Sequence, residues 1–191
     1  PQIQGFFDIP IDNFLGLPIL VNYLIDKKLE NVVVVSPDHG GAVRARKFAE
    51  ILGTTIAIID KRRPEPNRAE VMNIVGDVKG KTCILVDDIC DTAGTLTAAA
   101  QALINFGAVD VYAACTHGLL SGKAFERIVN SPIKEMILTN TVKLPEEKKH
   151  EKIVTLSVGP LLGHGILRIL SDEPLSGLFT YSYDTSKREL L

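Results

Sequence analysis

Short apolar runs alternate with amphipathic segments along the whole chain. Six runs rich in β-branched and other apolar residues predict strands, at 32–35, 54–59, 83–86, 109–114, 136–139 and 153–157. These runs are continuously apolar rather than alternating, which is typical of parallel strands that are buried on both faces. We therefore expect an α/β fold, in which helices cover both faces of a parallel sheet.

Four segments predict helices because their apolar residues recur at spacings of three and four. Pro18 favours the start of the first helix, while Gly53 and Gly107 favour the ends of the second and third. The fourth helix is expected at 159–170. The apolar faces of the first three helices are, in order, Leu17, Leu20, Val21 and Leu24; Ala45, Phe48, Ala49 and Leu52; and Leu96, Ala99, Ala100 and Leu103.

The segment 86–95 (VDDICDTAGT) lies between a predicted strand and a predicted helix. Small and hydroxyl residues in its second half place the unpaired N–H groups of a helix start around an anion. Asp87 and Asp88 can accept hydrogen bonds from vicinal sugar hydroxyls or bind a divalent cation. Together these features predict a site for a sugar phosphate. The plain alternative is a turn in which Asp91 or Thr92 caps the helix, but capping does not account for both earlier carboxylates.

A second turn of this kind follows the first predicted strand. Asp38 stands there with Gly40 and Gly41; glycines let the backbone approach an anion closely, and a carboxylate can bind Mg²⁺. An ordinary capped turn explains the same residues equally well. Because the carboxyl ends of parallel strands meet at one edge, two such turns favour a ligand that has two phosphate groups or acquires the second one. His39 has no partner in the sequence and is interpreted as a bystander.

The segment 60–70 is charged, contains two prolines and has no apolar period, so it predicts a long polar loop leading into a hairpin-like piece at 71–75. Lys61, Arg62 and Arg63 begin this loop. Mobile cations there can close over the oxygens of a transferred phosphoryl group. In isolation such a run is more often a solubilising surface. Because this run lies beside the expected site, we interpret it as a flexible lid rather than as a solubilising surface.

Composition narrows the class of protein. The net charge of −2 over 191 residues offers no basic face to nucleic acid or to an anionic membrane. We expect neither a bilayer-spanning segment nor a signal peptide. Cys83, Cys90 and Cys115 lie in or beside apolar runs without metal-ligand spacing, which favours reduced thiols and a cytoplasmic protein. A start at Pro1 rather than Met favours a fragment or a processed chain.

The sequence resembles one family in detail. The pattern Asp-Asp-x-x-Asp-Thr-x-Gly-Thr at 87–95 is similar to the phosphoribosyl-pyrophosphate loop of type I phosphoribosyltransferase folds. Other segments resemble ribose-phosphate pyrophosphokinases (phosphoribosyl pyrophosphate synthetases) of the bacterial class I type: GFFDIP at 5–10, SPD at 36–38 with the two glycines after it, DKRRP at 60–64 and VMNIVG at 71–76. The resemblance implies one phosphoribosyltransferase-like domain over 1–179, followed by a tail at 180–191.

The resemblance also implies a reaction, in which Mg-ATP gives its β,γ-diphosphoryl group to the 1-hydroxyl of ribose 5-phosphate and leaves AMP. It assigns Asp38 to Mg²⁺ and to the pyrophosphate, which Gly40 and Gly41 also bind. It assigns Lys61 and Arg63 to catalysis. The implied ribose 5-phosphate site comprises Arg63, Asp87, Asp88, Asp91, Thr92, Ala93, Gly94 and Thr95.

The likeness covers only the carboxyl-terminal half of that enzyme. The domain that supplies most adenine and triphosphate contacts is therefore expected to be absent, and the chain alone is expected to be inactive. Pro174 stands where the family has the first Ser of a regulatory anion pocket, which leaves control by phosphate or ADP open. Enzymes of this family assemble into hexamers, so the resemblance implies that this protein forms a homo-oligomer. Two other kinds of protein would share the loop at 87–95. A salvage phosphoribosyltransferase would need a further segment, a hood, that covers its base. A non-catalytic module that binds phosphoribosyl pyrophosphate would not need Lys61 and Arg63.

Overall fold

A seven-stranded sheet runs through residues 2–62 and 71–179, the part of the chain that the computed structural model describes. Its strands are β1 (Val32–Ser36), β2 (Thr55–Arg62), β3 (Val71–Val75), β4 (Thr82–Cys90), β5 (Asp110–Gly118), β6 (Ile133–Thr139) and β7 (Ile153–Leu156). Their order is β3-β2-β1-β4-β5-β6-β7, and every neighbouring pair is parallel except β2 with β3. The predicted parallel sheet is confirmed, and the hairpin-like piece expected at 71–75 is its antiparallel edge strand.

The strand order reverses at β1. The chain passes from β1 to β2 on one side, adds β3, and returns to β4 on the other side of β1. β1 and β4 are parallel, with Val35 opposite Leu85, so their carboxyl ends lie at the same edge. Open parallel sheets bind ligands at such a reversal. The two turns singled out in the sequence follow these two strands and therefore lie side by side.

Helices cover both faces of the sheet, as the continuously apolar strands predict. Val34 and Ile84 pack with the first two helices, whereas Val33 and Cys83 on the opposite face pack with the third and fourth. No helix in the described ranges has the length and apolar character needed to span a membrane. The helices are α1 (Leu17–Asp26), α2 (Ala42–Leu52), α3 (Gly94–Asn105), α4 (Ala124–Val129) and α5 (Gly159–Leu170).

Three local features differ from the sequence-based expectation. β4 continues through Cys90 instead of ending at Val86, because its ladder with β5 persists past the apolar run. As a result, the paired carboxylates belong to the strand rather than to the turn after it. α3 begins at Gly94, two residues earlier than its apolar face suggests. The pattern does not predict α4, whose six residues bury too few apolar side chains to produce a helical period.

Two isoleucines of β4 test this layering. Ile84 is 1% exposed, while Ile89 is 48% exposed. We expect Ile84→Ala to lower the free energy of unfolding by about 2–5 kcal/mol, because it removes buried contacts and leaves a cavity. We expect the control Ile89→Ala to lower it by less than about 1 kcal/mol. Urea denaturation followed by circular dichroism measures both, and equal losses would contradict the placement of Ile84 in the core.

Candidate functional site

Asp38 closes the turn that follows β1. Its Oδ1 accepts the N–H of Gly41 at 2.9 Å, and Ser36 Oγ donates to its carbonyl oxygen at 2.6 Å. A Cβ on Gly41 would lie 2.6 Å from Ser36 Oγ, so a larger residue would displace Ser36. Asp38 is exposed, and its Oδ2 takes part in neither contact. The turn thus combines the capping role with a carboxylate oxygen that is open to a ligand.

Asp87 and Asp88, near the end of β4, are both paired with Arg44 from the first turn of α2. Arg44 Nη1 lies 2.8 Å from Asp87 Oδ1, and Arg44 Nη2 lies 2.7 Å from Asp88 Oδ2. The same Nη1 would lie 3.6 Å from a Cβ on Gly41. The guanidinium therefore joins the strand end of β4 to the turn after β1. Sequence patterns do not single out Arg44; the available signal is its position three residues after Gly41.

The two carboxylates are also oriented by the backbone. The N–H of Asp88 lies 2.9 Å from Asp87 Oδ1, and the N–H of Ile89 lies 2.9 Å from Asp88 Oδ1. Burial raises the pKa of Asp87 above its usual range, and the neighbouring Asp88 carboxylate adds to this. The Asp88 N–H and the Arg44 guanidinium lower the pKa of Asp87, since both favour the ionised carboxylate.

Asp91, Thr92 and Ala93 form a turn that leads directly into α3, whose first two residues are Gly94 and Thr95; these five residues together are called the turn 91–95. Ala93 has φ +59°, in the left-handed region that residues other than glycine rarely adopt, and its side chain is buried. A Cβ on Gly94 would approach no atom beyond its chain neighbours more closely than 3.7 Å. The folded chain itself therefore leaves space beside Gly94. The first N–H groups of a helix have no acceptor within it and are suited to bind an anion.

The segment after β5 braces this turn. The N–H of Ser121 donates to the Asp91 carbonyl at 2.9 Å, and the Ser121 hydroxyl donates to the Asp91 carboxylate. Arg127 Nη1 donates to the Thr92 carbonyl at 2.8 Å and borders the space beside Gly94. These contacts join residues 30 and 35 positions apart. No local pattern could have identified Ser121 or Arg127 as neighbours of the turn.

Only part of the predicted lid can be placed. Lys61 lies in the ladder of β2 with β3, opposite Met72, whereas Arg63 lies outside the described residues. His39 has a partner in the fold that the sequence does not reveal, because its Nε2 lies 3.1 Å from Asp60 Oδ1. The sequence could not reveal this pair, since it depends on β2 lying beside β1. The contact links the turn after β1 to the base of the predicted loop.

Comparison with known proteins gives consistent results for sequence and structure. A family model described as Phosphoribosyl synthetase-associated domain matches residues 62–180. The chain is 63% identical over 180 residues to the ribose-phosphate pyrophosphokinase of Bacillus subtilis (strain 168) and 60% identical over 179 residues to that of Corynebacterium ammoniagenes, with 94% of this chain covered in each case. The crystal structure of phosphoribosylpyrophosphate synthetase from Mycobacterium smegmatis matches with a TM-score of 0.81 and 41% identity, over 90% of this chain and 56% of that one.

The chain belongs to the phosphoribosyl synthetase-associated domain family, since that family model matches more than half of its residues. It spans 57% of the Bacillus subtilis relative and 56% of the Corynebacterium relative. Its mostly parallel α/β fold is shared with the Mycobacterium synthetase. The resemblance stated from sequence motifs is confirmed at the level of family and fold.

Cysteine labelling tests the environment of Cys90, which leads into the turn 91–95. Burial raises the pKa of Cys90 to about 12 and the pKa of Cys83 to about 12, and Cys115 is also buried. Because the thiolate is the reactive form and burial disfavours it, the Cys90 thiol should react slowly in the folded chain. We expect dithionitrobenzoate to label the folded chain very slowly and to label all three cysteines at once in guanidinium chloride. Rapid labelling of the native protein would contradict the buried position of Cys90.

Proposed function

We propose that this chain is the ribose 5-phosphate-binding part of a ribose-phosphate pyrophosphokinase, which transfers the diphosphoryl group of Mg-ATP to the 1-hydroxyl of ribose 5-phosphate and releases phosphoribosyl pyrophosphate and AMP. The observation that carries the proposal is the meeting of two turns suited to anions at one sheet edge, with Asp87 and Asp88 linked by Arg44 to the neighbouring turn. The 63% identity to the Bacillus subtilis enzyme supports it.

The proposal gives each part of the site a role in binding the substrates. The turn 91–95 binds the 5-phosphate through the amides at the start of α3, where the helix dipole also favours an anion. Asp87 and Asp88 accept hydrogen bonds from the ribose hydroxyls. The adjacent turn, with Gly40 and Gly41, binds the diphosphoryl group. Side-by-side turns support this arrangement, because a sugar held by its phosphate and its hydroxyls presents its 1-hydroxyl to the neighbouring strand end.

The chemistry needs no protein nucleophile, because the attacking oxygen is the 1-hydroxyl of the substrate. What the protein supplies is position and charge stabilisation. Lys61 and Arg63 are the proposed catalytic cations, and Arg63 also contacts ribose 5-phosphate. Lys61 lies near the end of β2, and Arg63 follows it in the sequence. This supports the role, because β2 is parallel to β1 and ends at the same sheet edge as the turn with Gly40 and Gly41.

The donor set at Asp38 fits Mg²⁺. This ion is usually held by one or two carboxylates together with substrate phosphates and water. No cluster of three metal-ligating side chains occurs in the described ranges, which agrees with an ion held largely by the substrate. Asp38 would hold it through the oxygen that Gly41 does not use. When bound, the ion would neutralise charge on the phosphates.

We further propose that residues 1–179 form one domain and correspond to the carboxyl-terminal half of a homo-oligomeric enzyme, with 180–191 as a tail. The chain spans 57% and 56% of two relatives, which supports only that it corresponds to part of a longer enzyme. The adenine contacts and most triphosphate contacts then belong to the remainder of the enzyme. On this basis the chain alone binds ribose 5-phosphate but does not turn over ATP.

Gly94→Val tests the phosphate-binding role of the turn. The space beside Gly94 lets the variant fold, but the added side chain occupies the position of the phosphate. We expect calorimetry to detect ribose 5-phosphate binding by the wild type and an affinity lower by at least about 100-fold in the variant, since charge-assisted hydrogen bonds are lost. Gly163→Val is the matched control, because Gly163 is also helical and has no atom within 4 Å of an added Cβ. Normal affinity in Gly94→Val would contradict the role of the turn.

Lys61→Ala tests the proposed catalytic cation near the end of β2, in a full-length enzyme that carries this chain. We expect kcat for AMP formation from ATP and ribose 5-phosphate to fall by at least about 100-fold, because a cation that closes over the transferred group acts mainly in the transition state. Ribose 5-phosphate affinity should change by less than about threefold. Lys79→Ala, at an exposed turn, is the control. An unchanged kcat would assign Lys61 to the surface, and base-dependent pyrophosphate release instead of AMP formation would identify a salvage phosphoribosyltransferase.

A further inference from the structure

We propose that Arg44 determines the preference of this site for a sugar with adjacent 2- and 3-hydroxyl groups, because it holds Asp87 and Asp88 in one arrangement that a vicinal diol satisfies. This inference rests on the proposed function, since it concerns the sugar bound at the same site. Arg44 is a positioning residue, because it acts through the two carboxylates and not on the reacting atoms.

The guanidinium contacts both carboxylates with one rigid group. Its Nη1 lies 2.8 Å from Asp87 Oδ1 and its Nη2 lies 2.7 Å from Asp88 Oδ2. A guanidinium is planar and presents its N–H groups in a fixed fork. The separation of the two carboxylate oxygens is therefore set by the fork. Two carboxylates on successive residues repel each other, and without the cation they would favour rotamers that move them apart.

The hydrogen bonds leave a defined set of acceptors. Asp88 is held at both oxygens, because Oδ1 accepts the N–H of Ile89 and Oδ2 accepts Arg44 Nη2. Asp87 Oδ1 accepts hydrogen bonds from the N–H of Asp88 and from Arg44 Nη1. Asp87 Oδ2 takes part in none of these four contacts. One hydroxyl can donate to this oxygen, and an adjacent hydroxyl can donate to a remaining lone pair of Asp88.

Both sides of the ion pair stand on rigid elements. Arg44 is followed on α2 by Ala45 and by Phe48, which are buried in the core on the face shared with α1. The carboxylates follow the buried residues Leu85 and Val86 of β4. A polar arrangement mounted on packed helices and strands keeps its geometry better than one on a loop. The arrangement is therefore in place before the sugar arrives.

The experiment compares two ligands on the full 191-residue chain by calorimetry: ribose 5-phosphate and 2-deoxyribose 5-phosphate, which lacks one hydroxyl of the diol. We expect the wild type to prefer ribose 5-phosphate by about 10- to 100-fold, since a site built around a hydroxyl rejects the analogue without it. In Arg44→Gln the preference should fall to less than about threefold, while affinity for the deoxy sugar, held by its phosphate, changes little. A general loss of structure would weaken both ligands together.

Two further variants complete the test. Arg46→Gln removes an exposed arginine from the same helix and should keep the full preference. Arg44→Lys keeps the charge but replaces the fork by a single point, so most of the preference should disappear, which covers the case in which Arg44→Gln does not fold. Full preference in either folded Arg44 variant would overturn the role of Arg44 alone. If the wild type binds neither sugar phosphate, the proposed function and this inference both fail.

Discussion

The parallel pairing of β1 with β4 is the constraint on which the candidate site depends. Residues 32–35 lie opposite 82–85 in a continuous ladder, and both strands are buried on their two faces. A slip by one residue would exchange the side chains that face the two helical layers, so the apolar core fixes the register. That register determines where each strand ends. Arg44 reaches Asp87 and Asp88 because α2 starts beside the strand that carries them.

The sequence predicts the local parts of this arrangement well, since each follows from a short pattern. Continuous apolar runs predict the parallel strands, and the residue types at 38–41 and 91–95 indicate the two turns, although Asp87 and Asp88 prove to belong to the strand. The contacts between those parts are not local. The pair formed by Arg44 and Asp87 spans 43 positions, and the pair formed by His39 and Asp60 spans 21. Such contacts follow from strand order, which composition and periodicity do not specify.

In the candidate site, backbone N–H groups and side-chain carboxylates are suited to different parts of the proposed ligand. Asp38, Asp87, Asp88 and Asp91 make the edge acidic, although the proposed ligand carries phosphates. Backbone amides at the start of α3 can bind an anion without any cationic side chain. The carboxylates are then available for hydroxyl groups and for a cation. This arrangement explains how an acidic sequence motif and an anionic substrate are compatible.

Ser121 and Arg127 hold the turn 91–95 from a part of the chain that is synthesised later. The left-handed Ala93 and the carbonyl of Thr92 are therefore supported by contacts of long sequence separation. These contacts depend on β5 lying beside β4, because Ser121 and Arg127 follow β5 in the chain. If the motif were moved to another strand–helix junction without residues 119–127, its sequence would be unchanged. It would then lack the contacts with Ser121 and Arg127 that hold its conformation. The proposed phosphate binding therefore depends on the neighbouring segment 119–127 as well as on the ten residues of the motif.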